Sequence, residues 1–261
     1  MQSSWRYIKS GARSGVFNME EDERLAEGLL RSGGDAVLRL YTWSPWAISL
    51  GHHQDPREIN SEQCLVDGID VVRRPTGGRA ILHAEELTYC VVMPADGQSV
   101  IQVYNAIGVA LLRGLRLFGV KASLEKSQPN FRNLYREASS VPCFSSSARW
   151  EIAFGGRKMV GSAQRRYSDG GRTVILQHGS ILCGLAHLRL ADYLVADDKV
   201  RDGIRNDLGE RTVTLSDVTG SAVDTSVLAG CIKKGFEEEW GIVFQDRSIV
   251  METGTLEEER I

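Results

Sequence analysis

Four short islands of the chain place reactive side chains beside glycines: Arg73 to His83, containing Arg74-Pro75-Thr76-Gly77-Gly78-Arg79; Pro142-Cys143-Phe144; Gly156 to Gln164, containing Arg157-Lys158 and Gly161-Ser162-Ala163; and Gln177-His178-Gly179. Paired glycines between apolar runs let the backbone approach a ligand closely and offer N–H groups to a carbonyl or phosphate. The same pairs also serve as plain tight turns. Cys143 follows a proline in a polar, serine-rich stretch, whereas Cys64, Cys90, Cys183 and Cys231 sit inside apolar patterns. It is therefore the thiol with access, although a free cysteine is commonly a small hydrophobe.

A thiol with pKa of about 8.5 is mostly protonated at neutral pH, so nucleophilic work by Cys143 needs a cation nearby. Lys158, at the start of an inferred strand, is the candidate; a lysine there also serves as an edge-strand guard. His83 and His178 fit three roles on residue type alone: substrate contact, proton transfer, or a hydrogen-bonded place in the core.

These groups need a scaffold, and the apolar periodicity supplies one. Trp5 to Lys9 alternates as a strand, and Gly15 to Leu30 has helical spacing. Val37 to Trp43 and Ala47 to Gly51 read as a hairpin-like pair around Ser44-Pro45. Asn60 caps a short helix ending at Gly68. Ile69 to Arg74 and Leu87 to Met93 read as strands on either side of the glycine turn, and Ser99 to Gly119 as the main core helix. Arg149 to Phe154, Lys158 to Gln164 and Thr173 to Leu182 form an antiparallel meander with glycine turns, and the chain from His187 onward reads as mostly helical. The expectation is an α+β fold: a mixed, largely antiparallel β-sheet packed with helices, in a single domain spanning 1–261.

Composition removes several classes. The five cysteines are scattered with no paired spacing, which argues against a disulfide scaffold, a metal knuckle or a redox pair. No signal peptide and no apolar run of membrane-spanning length is readable, so the expected compartment is the cytoplasm, with no membrane partner. A net charge of −3 gives no reason to expect nucleic acid. Arg73, Arg74, Arg79, Arg157, Lys158, Arg165 and Arg166 bracket the central islands, while Glu252, Glu257, Glu258 and Glu259 mark the tail. That pattern reads either as a basic rim for an acidic partner or as a solvated face.

In this order the islands resemble the catalytic domain shared by biotin and lipoate protein ligases and octanoyltransferases, over most of the chain. Arg73-Arg74-Pro75-Thr76-Gly77-Gly78-Arg79, Leu82-His83 and Glu86-Leu87-Thr88-Tyr89 are similar to the cysteine-dependent octanoyltransferases, since lipoate ligases typically carry a third glycine where this chain has Arg79. The resemblance implies that Cys143 forms an acyl-enzyme and that Lys158, fifteen positions on, lowers its pKa. It places Arg74, Gly77, Gly78 and His83 in a substrate-binding loop, and Gly161, Ser162, Ala163, His178 and Gly179 along an acyl pocket. Two departures are visible, Ala84 where relatives often have aspartate and Pro142 before the cysteine. The implied reaction moves octanoyl from octanoyl-acyl carrier protein through a Cys143 thioester to a lysine of an apo lipoyl domain such as the glycine cleavage H protein, with no cofactor and no metal. The alternatives are an ATP-dependent lipoate protein ligase, an octanoyl amidotransferase between lipoyl-domain proteins, and a non-catalytic lipoyl or acyl binder.

Overall fold

A computed structural model describes residues 4–95, 97–125 and 151–246. Its main sheet has eight strands in the order β11-β1-β2-β6-β10-β9-β8-β7. These are β1 (Trp5–Arg13), β2 (Ala36–Trp43), β6 (Glu86–Pro94), β7 (Ser123–Glu125), β8 (Glu151–Phe154), β9 (Arg157–Asp169), β10 (Arg172–Leu182) and β11 (Phe244–Asp246). Strand β1 lies parallel to both β2 and β11, and the remaining pairs are antiparallel. The expected α+β class, a mixed and largely antiparallel sheet packed with helices, is what the chain adopts.

The central strands bury both faces, and their period-2 alternation sorts residues into two layers. Leu38, Leu40, Leu87, Tyr89, Val91, Ile175 and Ile181 turn to one side. There they meet α3 (Val100–Leu117) and the Thr225–Trp240 helix. Val37, Tyr41, Trp43, Cys90, Val92, Val174 and Leu176 turn to the other, against Met19, Leu25, Ala26 and Leu29 of α1 (Gly15–Ser32). Beside α1 lies a second sheet, in the order β4-β3-β5, made of β3 (Ala47–Leu50), β4 (Asp70–Arg73) and β5 (Ile81–His83). Its apolar residues pack on Leu190, Tyr193, Leu194, Ile204 and Leu208.

Helix boundaries follow capping chemistry. Ser14 accepts from the Phe17 N–H at the start of α1, and Ser99 with Gln102 closes a capping box at the start of α3. Asn60 caps α2 (Ser61–Val66), and Gly68 follows it at φ +65°. The 18 residues of α3 have a mean hydropathy of 1.2, long and apolar enough to cross a membrane, contrary to the sequence expectation that no run reaches that length. Val103, Ile107, Leu111 and Leu115 of that helix are buried in the core beneath the main sheet.

Two other readings change. β2 and β3 are not a hairpin: after the cis Ser44-Pro45 bond the chain leaves the main sheet and enters the small one. Every residue of β3 and all but one of β2 are buried, so neither strand shows the alternation that reveals a shared sheet. β5, between the glycine turn and β6, was also not foreseen, because three residues are too few to show a strand period.

Candidate acyl-binding site

Registry across the main sheet lines up one residue from each of four strands. Gly161 of β9 faces Ser180 of β10, Ser180 faces Thr88 of β6, and Thr88 faces Tyr41 of β2. Directly opposed residues share a sheet face, so this row forms a floor. Above it stand Ser49 of β3, Ile81 and His83 of β5, Arg74 and, from α1, Met19; together they enclose a narrow slot of about 20 Å³. The surface presented to the interior is almost all carbon.

The apolar lining is unexpected in a wall that contains arginine, two histidines and five hydroxyl groups, and hydrogen bonds within the wall explain it. Glu86 Oε1 accepts from Thr88 Oγ1 at 2.6 Å, Ser180 Oγ at 2.8 Å and His83 Nδ1 at 2.8 Å. A carboxylate only accepts, so His83 Nδ1 is the donor, and on its other side His83 Nε2 hydrogen-bonds Ser49 Oγ at 2.7 Å. Ser49 in turn accepts from Arg74 Nη1 at 3.1 Å. Burial pushes the Glu86 carboxyl up, but the His83 ring and the donated hydrogen bonds outweigh it and hold it below its ordinary range.

A second network lies on the α1 side. Asp22 accepts from Arg39 Nη1 at 2.6 Å, Tyr41 Oη at 2.8 Å and His178 Nδ1 at 3.0 Å, and the Asp22 and Arg39 side chains are wholly buried. His178 Nε2 accepts from Thr76 Oγ1 at 2.7 Å, which ties the glycine turn to the sheet. Burial drives the His178 pKa down despite Asp22, whereas Asp22 is itself held low because Arg39 and His178 overcome the cost of its burial.

Among the expected site residues, Arg74, His83, Gly161, Ser162, Ala163, His178 and Gly179 line this cavity; Gly77 and Gly78 do not. Those two belong to a turn held by Arg74, whose guanidinium donates to the carbonyls of Ser49, Gly77 and Arg79. Gly51 lies so close to the turn that a Cβ there would stand 1.9 Å from the Gly78 carbonyl oxygen. Ser162 lies across β9, where its hydroxyl meets Tyr89 Oη at 2.6 Å. Both histidines therefore occupy hydrogen-bonded core positions and also face the cavity.

Lys158 is buried at 7% exposure on β9, three residues before Gly161, and its carbonyl accepts from the Val213 N–H. Arg74 is buried as well, so the two cannot belong to a surface basic rim; the acidic tail residues lie outside the described residues. Cys143 likewise lies outside the described residues. Of the other cysteines, Cys64, Cys90 and Cys183 are buried and Cys231 is partly so. Burial raises all four thiols, Cys64 to about 11 and Cys183 to about 12, which disfavours any of them as a thiolate at neutral pH.

Sequence reasoning did not single out Met19, Tyr41, Trp43, Ser49, Ile81, Thr88 or Ser180 as lining residues, nor Asp22 and Arg39 as their support. One signal was available. Asn18 and Asp22 stand one helical turn apart on the same buried face of α1 as Met19, where solvated side chains do not belong.

The lipoyl protein ligase A/B catalytic domain model matches residues 14–237. Octanoyltransferase LipM of Kyrpidia tusciae is 38% identical over 244 residues, 91% of this chain and 88% of that protein. Octanoyltransferase LipM of Bacillus subtilis is 34% identical over 244 residues, 90% and 86% of the two chains. Among solved structures, an archaeal bi-partite lipoate protein ligase from Thermoplasma acidophilum superimposes with a TM-score of 0.73 at 22% identity, covering 96% of this chain and 89% of that one. A lipoate-protein ligase A bound with ATP gives 0.69, also at 22%, covering 96% and 90%. At that identity the likeness speaks for the fold.

Proposed function

Since the chain belongs to the lipoyl protein ligase A/B catalytic-domain family and is an octanoyltransferase of lipoate assembly, we propose that it takes octanoyl from octanoyl-acyl carrier protein onto Cys143 and passes it to a lysine of an apo lipoyl domain such as the glycine cleavage H protein. The observation that supports this route is the position of a buried lysine, Lys158, on the strand whose next glycine begins the floor of an apolar slot.

In the first step the Cys143 thiolate attacks the carrier thioester, a C–S bond forms as another breaks, and the carrier thiol leaves. One thioester replaces another, so no nucleotide is consumed. In the second the neutral acceptor amine attacks acyl-Cys143, a C–N bond forms as the C–S bond breaks, the Cys143 thiolate leaves, and the proton lost by the amine goes to Lys158. Splitting the transfer lets each protein partner dock in turn. The acceptor amine, with an ordinary pKa near 10.4, is neutral in only about one molecule in two thousand at pH 7, so the site has to favour its deprotonation. In our reading Lys158 as an ammonium favours the Cys143 thiolate, and as an amine it assists the second step. Backbone N–H groups of the glycine turn or of β9 near Gly161 supply the oxyanion donors. We assign the whole chain to one catalytic domain acting in the cytoplasm.

Mass spectrometry of the protein mixed with octanoyl-acyl carrier protein and apo H protein, without ATP, tests this. An octanoyl adduct on Cys143 that chases onto the H protein is expected, and Cys143→Ser should abolish both. Transfer only after adding free octanoate with ATP would overturn the reading in favour of a ligase. Transfer from an octanoylated lipoyl domain but not from the carrier would replace the donor.

A further inference from the structure

We propose that Trp43 sets the length of acyl chain the slot accepts; the assignment rests on the octanoyl-transfer reading above. The row from Gly161 through Ser180 and Thr88 to Tyr41 crosses β9, β10, β6 and β2 in a straight line. Side-chain size rises along it, from nothing at β9 to an aromatic ring at β2. Lys158 marks the β9 end, where the thioester belongs, so the β2 end receives the methyl terminus.

At the β2 end stands Trp43, two residues beyond Tyr41 on the same strand face, and both line the cavity. Its indole Nε1 donates to Thr88 Oγ1 at 2.7 Å, which draws the ring over the last step of the row. The ring also stacks on His83, centroids 4.0 Å apart and planes 12° from parallel. His83 is held by Ser49 and Glu86 on its two nitrogens, so the stacked indole has little room to swing aside. Tyr41 is less suited to tuning, because its hydroxyl belongs to the Asp22–Arg39 network on which the fold depends.

The dimensions agree. Three strand spacings of about 4.8 Å put β2 about 14 Å from β9. A carbon–carbon contact of about 4 Å at the far wall leaves about 10 Å for the chain. An extended alkyl chain advances about 1.25 Å per bond, from a 1.52 Å bond and a tetrahedral-like angle, so eight carbons span about 9 Å and ten about 11 Å. Along that line eight carbons reach the indole, and ten overrun it.

The test measures acyl transfer from six-, eight-, ten- and twelve-carbon acyl carrier protein thioesters to wild type, Trp43→Phe and Trp43→Leu, reading the adduct mass. Wild type should favour eight carbons over ten by at least about tenfold, the discrimination two methylenes give in a fixed apolar pocket. Trp43→Leu should raise the ten-to-eight ratio about tenfold or more, with Trp43→Phe between. If Trp43→Leu lacks a cooperative melt, the phenylalanine variant and the wild-type profile carry the decision. A wild type that accepts twelve carbons as readily as eight, or a folded Trp43 variant with an unchanged ratio, overturns the assignment. A wild type that takes octanoyl from no thioester sinks the transfer reading itself, and the length assignment with it.

Discussion

Replacing Asp22 by asparagine is a stringent test of the network behind the slot. The side chains of Asp22 and Arg39 are both fully buried, and the carboxylate accepts three hydrogen bonds. Asparagine keeps the shape, removes the charge and turns an NH₂ group toward donors. Breaking a buried ion pair by removing one partner costs about 3–5 kcal/mol. Arg39 keeps Ser10 Oγ, Asn18 O and Asn18 Oδ1 as acceptors, which places the cost near the lower end, about 3 kcal/mol. For a chain of this size that corresponds to a fall in Tm of about 6–12 °C. Urea unfolding followed by tryptophan fluorescence should show the midpoint drop by about 1 M with the slope unchanged. Because the Asp22 pKa lies below its unfolded value, the carboxylate stabilises above about pH 4 and loses that contribution as pH falls, so the gap between mutant and wild type should narrow steadily below about pH 4. Joint replacement, Asp22→Leu with Arg39→Met, should recover part of the loss. A midpoint within about 0.2 M of wild type at neutral pH would refute the claim that this pair holds α1 to the sheet.

Gly51→Ala should cost at least about 2 kcal/mol, since the new methyl meets the backbone of Gly78, and no rotamer relieves a backbone collision; thermal melts measure it. Stability should decline with acid in two stages. His178 and His187 have folded pKa values below the unfolded one, so the first loss begins as pH drops below about 6.5, and the second begins near pH 4 as Asp22 and Glu86 take up protons; a Tm-versus-pH series resolves the two. Native protein treated with iodoacetamide at neutral pH should leave Cys64, Cys90 and Cys183 unmodified by peptide mapping, and Cys143→Ser should remove the fastest label.

Helices α1 and α3 were legible because an amphipathic stripe and a capping serine coincide at each. The β8–β9–β10 meander was legible from its glycine turns, although β9 runs on to Asp169, beyond the apolar stretch, because its outer half pairs with β10 and carries polar residues. The small sheet was not legible. Its strands are only three or four residues long, and only their long-range pairing separates them from the main sheet. The glycine islands pointed toward the cavity, yet Trp43 and Tyr41 read as ordinary strand residues, since nothing local tells an aromatic that closes a slot from one that fills a core. His83 and His178 were ambiguous for a related reason: residue type cannot report that Glu86, three residues on, turns back to His83, or that Asp22 meets His178 from across the fold.

The wall of the slot spends its hydroxyls, imidazoles and guanidinium on one another and turns hydrocarbon inward. Moisture therefore has little to cling to along its length. On the proposed route, an activated acyl group parked there would wait for an amine in a compartment that is dry by construction, and the dryness depends on the plumbing behind the panels: cut Glu86 out and three freed donors would invite the solvent in.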